Sequence, residues 1–304
     1  MLSQEVDRYV ALHRQLGLSY NEQERILGLF AAHAEALGDR HITAVRIRSW
    51  CATASTPNSA RTWFDAVRKF SLFLNAEDAR HEALPAGVFG RGRRPRPAPH
   101  ILRPDQVSAI MQAALEVAPQ RTISPYTYHY IFGLLAATGI RISEALTLKR
   151  AERPEDGLIL RTGKFDKSRL VPLHASTRRA LDGYLAIRDK WDGDSDDLFV
   201  VTTGRAPTAT RVHVVFVRIA RQLGIRGPKG TRGARLHDLR HTFAARSLES
   251  CDHDREAVGH HTAALSAYLG HTDVEATYWY LQATPVLMHD IAAAAEQLFQ
   301  GEVV

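Results

Sequence analysis

Cysteine is nearly absent from the chain: two among 304 residues, Cys51 and Cys251. They are too few and too far apart for a disulfide framework or a metal-ligand set, and they read most simply as reduced core thiols of a cytoplasmic protein. Long apolar runs are also missing. No stretch nears the roughly 20 residues that span a bilayer. The opening MLSQEVDRYV has neither the basic start nor the apolar run of a signal peptide. Acidic residues clustered at metal-binding spacing are missing as well, so nothing in the pattern calls for a divalent cation.

One-signed charge is lacking in the first third. Residues 1–90 hold ten Lys/Arg and ten Asp/Glu, while residues 91–304 hold 29 and 23 and carry the whole net charge of +6. The remainder of the composition, 45% hydrophobic and 24% charged, is that of an ordinary globular protein. The length suggests about two domains. The sharpest break is FGRGRRPRPAPHILRP, residues 89–104, with Arg91, Arg93, Arg94 and Arg96 among four prolines. Proline removes backbone donors, so this segment is expected to be an extended linker. Four arginines so close together suit a basic strap across a phosphate backbone better than a merely solubilising hinge.

Before the strap, four segments place apolar residues at helical spacing. Residues 1–88 are therefore expected to form a small helical bundle, with Ser19 or Asn21 and Thr56 or Asn58 as N-caps. Leu27, Phe30, Trp63, Phe64, Phe70 and Leu74 would be its core. Arg46, Arg48 and Arg61 form either a DNA-facing row or a solvated face. After the strap, PDQVSAIMQAALEVA, PYTYHYIFGLLAATG, RISEALTLKRAER, PTATRVHVVFVRIARQLG, HDLRHTFAARSLES, HTAALSAYLGH and PVLMHDIAAAAEQLFQ read as helices. GLILRTG and RLVPL read as strands joined by a lysine turn, and DLFVV as a further strand or extended piece. The expectation is a mainly α protein with a small antiparallel sheet: domain 1–88, linker 89–104 and domain 105–304.

Four pieces could carry chemistry: ATGIRISEALTLK, TGKFDKSRLVPL, RLHDLRHTFAA and LGHTDVEATYWYL. Each alone has an ordinary explanation, such as an i,i+3 ion pair between Arg141 and Glu144. His237 and His241 have the i,i+4 spacing of a zinc-binding HExxH helix. Arg240 between them opposes a dication, and no third ligand is marked. His237 and Arg240, three apart, share a helix face, which turns His241 towards a structural role. Together the pieces supply two arginines, a lysine, two histidines and a tyrosine. That inventory suits phosphoryl transfer without a metal. Guanidinium forks hold the charge on non-bridging oxygens, a lysine protonates the leaving oxygen, and a tyrosine hydroxyl is the nucleophile.

These pieces resemble the tyrosine recombinase, or phage integrase, family over residues 101–290. ATGIRISEALTL resembles the first arginine box and places Arg141. GLILRTGKFDKSRLVPL resembles the β-hairpin and places Lys164, with Lys167 as a phosphate contact. RLHDLRHTFAA resembles the His-x-x-Arg box and gives His237 and Arg240. LGHTDVEATYWYL resembles the last box and gives His271 and, nine residues later, the nucleophile Tyr280 rather than Tyr278. The resemblance implies an N-terminal helical, SAM-like core-binding domain and an α+β catalytic domain. It implies a site-specific recombinase that cuts and rejoins DNA through a 3′-phosphotyrosyl intermediate, with no metal or nucleotide cofactor. Glu144 and Asp238 would orient the boxes.

The implied partners are double-stranded DNA, further copies of the chain (a dimer on each site, a tetramer in synapsis) and accessory DNA-bending or directionality proteins. No membrane is involved, and the location is cytoplasmic, with the nucleoid. The C-terminal segment would pack on its own domain or on a neighbour. Three rivals remain: a silent DNA-binding protein with the same clamp, a zinc enzyme built on HDLRH, and a type IB topoisomerase. The last is disfavoured by the lack of a long insertion.

Overall fold

The computed structural model describes residues 1–90, 99–117, 119–162, 167–191, 195–251 and 255–271, together with 277 and 280; for Thr162, Lys167 and Arg255 it describes the backbone alone. The chain divides into two compact units, Met1–Arg96 and Pro97–Val304.

The first unit contains α1 (Leu2–Gln15), α2 (Asn21–Ala36), α3 (Ala44–Ala52) and α4 (Pro57–Asn75). Two of the helices start at threonines. The Thr43 and Thr56 hydroxyls accept the amides of Arg46 and Ser59 at 3.2 and 3.1 Å, each contributing about 1 kcal/mol. At α2 the expected Ser19 or Asn21 cap gives way to Tyr20, in the left-handed region with φ 52° and no side-chain cap. Ring packing decides this. Tyr20 stacks on His13 and its hydroxyl donates to that of Tyr9. Leu27, Phe30, Phe64, Phe70 and Leu74 are buried together, and half-buried Trp63 stacks on Trp50 with centroids 4.5 Å apart. After α4 the chain returns to the start of α3. The Ile42 amide donates to His81 Nδ1 at 3.1 Å, and the Glu82 amide to the Ile42 carbonyl at 2.8 Å.

The second unit contains α5 (Pro104–Ala114), α6 (Ser124–Thr138), α7 (Ile142–Thr147), β1 (Gly157–Thr162), β2 (Lys167–Pro172), α8 (Ala175–Arg188), α9 (Ala209–Gln222), α10 (Asp238–Glu249) and α11 (Arg255–Leu269). α6 is apolar around most of its circumference and packs against α5, α8 and α10. Among the described residues the sheet is the antiparallel pair β1–β2, with Leu160 opposite Arg169. Leu158, Leu160 and Val171 face the core.

Three expectations are corrected. RISEALTLKRAER was expected to be one helix, but α7 stops at Thr147 because the Leu148 carbonyl accepts the Leu198 amide at 2.7 Å. DLFVV forms no third strand; Asp197 makes an isolated bridge to Lys149. The helix α8 has no counterpart in the sequence reading, and α11 begins six residues before the predicted His261. The arginines at 91–96, the lysine turn at 163–166 and PVLMHDIAAAAEQLFQ lie outside the described residues. No described helix is long and apolar enough to cross a membrane.

Candidate active site

Two helix ends meet here. α6 ends at Gly139 (φ +62°) and α11 at Gly270 (φ +66°). Both glycines take the left-handed turn that stops a helix and leaves its last carbonyls without intrahelical partners. Two arginines take those carbonyls. Arg240, on α10, donates through Nη1 to Gly139 O at 2.7 Å and through Nη2 to Leu269 O at 2.9 Å. Arg141, at the start of α7, donates through Nη1 to the same Leu269 O at 3.3 Å and through Nη2 to Gly270 O at 2.9 Å. The negative ends of two helix dipoles thus hold two guanidiniums together.

Glu144 lies beneath this pair, 7% exposed. It accepts the Arg141 amide at 2.8 Å and Arg141 Nη1 at 3.0 Å. Arg169, on β2, supplies a parallel fork to both its oxygens, each at 2.9 Å, and donates through Nε to Tyr268 O at 3.1 Å. Burial pushes the Glu144 carboxyl up, but the Arg169 fork and the Arg141 amide outweigh it and hold the group below its ordinary range. Sequence reasoning missed Arg169. A signal existed: Arg169 is two residues from buried Val171, hence on the inward face of the strand, where a guanidinium requires a buried carboxylate.

α10 presents the histidines. Asp238, fully buried, accepts the Arg235 amide at 2.7 Å and Arg235 Nη2 at 3.0 Å, which fixes the turn where the helix begins. His237 sits at the N-cap, exposed as a residue but partly desolvated by the protein around it, with its ring centroid 4.5 Å from that of the nearly perpendicular His241 ring. His241 is buried on the inner side of α10. Its Nδ1 lies 3.0 Å from the Tyr280 hydroxyl. Tyr280 is 3% exposed and packs with Ala244, Leu248, Leu265 and Leu269. His271 Nδ1 lies 2.7 Å from the Thr277 hydroxyl, with its ring nearly parallel to that of Tyr280 at 6.3 Å.

The electrostatics are those of a site short of an anion. Burial, and then Arg141, lower Arg240 to about 10. Burial, and then Arg240, hold His237 below its ordinary value. Burial, and then His237, lower His241 to about 3. His237 and Arg240 both border a cavity of about 360 Å³ walled by Leu135, Ile140 and Leu236, so the buried guanidinium still faces open space.

The structure therefore brings Arg141, His237, Arg240, His271, Tyr280, Glu144 and Asp238 into one part of the second unit. Lys164, Arg91, Arg93, Arg94 and Arg96 lie outside the described residues, and of Lys167 only the strand position is described. In the first unit, Arg46 is paired with Asp39 and Arg48 is exposed on α3. Among the described residues, the His/Cys/Asp/Glu group whose ligand atoms converge is His41, Asp78 and His81, without His237 or His241. Even there, His81 Nδ1 already accepts the Ile42 amide.

Residues 100–285 match the phage integrase family. Over 98% of its length the chain is 35% identical to the putative integrase/recombinase y4rB of Sinorhizobium fredii (strain NBRC 101917 / NGR234), spanning 98% of that protein. It is 29% identical to tyrosine recombinase XerD of Brucella abortus (strain 9-941), over 78% of this chain and 75% of that one. Its fold resembles the XerH site-specific recombinase bound to palindromic difH substrate in a post-cleavage complex: TM-score 0.64, 18% identity, 91% of this chain and 79% of that one. It also resembles a lambda integrase (75–356) dimer bound to a COC′ core site: TM-score 0.64, 16% identity, 93% and 95%. The chain belongs to the phage integrase family and is a site-specific recombinase of the tyrosine type.

Two outcomes follow from this geometry. A Cβ on Gly139 would sit 2.4 Å from Phe243 Cδ1 in a left-handed backbone. Gly139→Ala should therefore cost ~3 kcal/mol in denaturant unfolding, adding a left-handed penalty to an overpacking one. His241 must stay neutral in the fold, with a pKa of about 3 against an ordinary 6.5. The unfolded chain binds that proton first, so the folded state loses about 1.4 kcal/mol for each pH unit below 6.5. Thermal unfolding between pH 7 and 5 should show a shallower loss in His241→Asn than in the native chain.

Proposed function

We propose that the protein cuts and rejoins DNA strands through a 3′-phosphotyrosyl link formed by Tyr280, with no metal or nucleotide cofactor. The observation that carries this reading is the convergence of Arg141 and Arg240 on the Leu269 carbonyl. Holding two guanidiniums side by side, one of them buried, favours an anion with oxygens for both, as a phosphodiester has.

In this mechanism the scissile phosphate enters between Arg141 and Arg240, which take up the charge on its non-bridging oxygens. Tyr280 Oη attacks phosphorus and the P–O5′ bond breaks. Lys164 protonates the departing O5′. His237 acts as general base or proton-holder, and His271 donates a hydrogen bond to the phosphate. Glu144 and Asp238 keep Arg141 and the start of α10 in place. A 5′-hydroxyl from a partner strand then attacks the phosphotyrosine and restores a phosphodiester. The bond energy is kept in the protein–DNA link, which removes the need for a nucleotide.

The substrate is double-stranded DNA, with Arg91, Arg93, Arg94, Arg96 and Lys167 on its backbone and Arg48 a further contact; Arg46, already paired, is the weaker candidate. A recombinase must hold two sites at once, so the working form is a dimer on each site and a tetramer in synapsis, in the cytoplasm with the nucleoid. Related proteins appear in solved structures as a lambda integrase dimer on a core site and a tetramer on a Holliday junction. Accessory bending or directionality proteins belong to the same proposal.

The test is covalent trapping. The protein is mixed with DNA flanking its own gene in EDTA and stopped with detergent. An adduct at a DNA 3′ end that vanishes in Tyr280→Phe is the expected result; no adduct on DNA that the protein binds would leave a silent binding protein. Lys164→Ala should cut ~10²-fold or more slowly with DNA affinity retained. A 5′-phosphorothiolate substrate, whose leaving group needs no proton, should restore its rate.

A further inference from the structure

We infer that Arg169 is a positioning residue for strand cutting: by holding Glu144 with a full fork, it leaves the charge of Arg141 available to the scissile phosphate. This rests on the tyrosine-nucleophile reading above and names what keeps the clamp of that reading charged.

Three arginines reach the end of α11. Arg169 Nε donates to Tyr268 O, Arg141 and Arg240 share Leu269 O, and Arg141 also donates to Gly270 O. Arg169 lies across Gly270 itself. A Cβ there would come within 2.6 Å of its Nη1 and 2.9 Å of its Cζ, so the glycine leaves the space that the guanidinium fills. Three guanidiniums thus stand around one carboxylate, Glu144, which bonds two of them. The side chains of Arg169 and Glu144 are 16% and 6% exposed, so solvent screens their pairing little. Arg141, at 37%, is the more open partner.

The two arginines divide Glu144 unevenly. Arg169 donates through Nη1 to Oε1 and through Nη2 to Oε2, each at 2.9 Å. Arg141 gives its amide to Oε2 at 2.8 Å and Nη1 to Oε1 at 3.0 Å, while its Nη2 turns to Gly270 O. The parallel fork is the geometry in which a guanidinium offsets a carboxylate best. Because Arg169 has it, Arg141 touches Glu144 with one guanidinium nitrogen. Its other acceptors are the Leu269 and Gly270 carbonyls, which orient the group without cancelling its charge. Positive charge is therefore left over for a phosphate whose own charge grows during attack. Without Arg169, both Glu144 oxygens would be open to the neighbouring Arg141. The fork would then form there, drawing Arg141 towards the carboxylate and offsetting the charge that the phosphate needs.

Arg169→Gln and Arg169→Lys test this. The lysine keeps a cation beside the buried carboxylate, and with it the fold, but one ammonium cannot fork. Strand cutting is timed in single turnover with saturating duplex from DNA flanking the gene, and Tyr280→Phe serves as the blank. Two duplexes are compared. One is the ordinary phosphodiester; the other has a methylphosphonate at the point that the native chain cuts, and so lacks the non-bridging charge that Arg141 answers. Both variants should bind the duplex with native affinity. On the phosphodiester, Arg169→Gln should cut ~10²-fold more slowly, the cost of one lost oxyanion donor, and Arg169→Lys ~10-fold more slowly. On the methylphosphonate, both should keep pace with the native chain. A native rate on the phosphodiester for either variant, or the same slowing on both duplexes, would overturn the inference and leave the tyrosine reading standing. So would a native chain that cuts the phosphodiester but not the methylphosphonate. If thermal unfolding shows that Arg169→Gln does not fold, Arg169→Lys decides by the same two comparisons. No native cutting of bound DNA would overturn both readings.

Discussion

The second unit is organised by one shared acceptor. The carbonyl of Leu269 is taken by Arg141 from one side and by Arg240 from the other. Everything about the site depends on that meeting. α6 and α11 must end at Gly139 and Gly270, in a conformation that glycine adopts without strain, for three carbonyls to point inward. α7 must start at Arg141, and α10 must carry Arg240 towards the gap between the two helix ends. Two like charges are held together by helix carbonyls, with the Glu144 carboxylate as counter-ion to Arg141.

Glu144 prevents that arrangement from repelling itself apart. It is nearly buried, and it is tied by Arg141 on its own helix and by the Arg169 fork from the sheet. β2 is thereby fastened to α7 and, through Tyr268 O, to the last turn of α11. The β1–β2 pair is thus anchored at its second strand to the same elements that carry the arginines. α10 contributes on its other side: Thr242 accepts the Leu102 amide, fixing the chain that leads into α5.

How much of this was legible in the sequence varied with the range of the interactions. The helices of the first unit, α6, α9 and the β-hairpin were legible because apolar periodicity and glycine or proline punctuation are local. The boxes around Arg141, His237 and His271 were legible for the same reason. Where distant backbone competed, local reading failed: Leu148 left its helix to pair with Leu198, and Tyr20 displaced the polar cap of α2 by packing on Tyr9 and His13. α8 escaped because only Leu181, Tyr184 and Arg188 of its fourteen residues are buried, too sparse a stripe beside its charges. Arg169 escaped because its partner, Glu144, lies 25 residues away.

Tyr280 is part of the small core between α10 and α11 as well as the candidate nucleophile. Its ring packs on Leu269, whose carbonyl gathers the two arginines. Loosening α11 would release the tyrosine, the shared acceptor and the grip on both guanidiniums in a single event. A half-folded copy therefore cannot keep Tyr280 in place while losing its grip on the two arginines. Under the proposed mechanism this linkage makes failure silent: a copy that loosens α11 gives up its nucleophile and its phosphate clamp together.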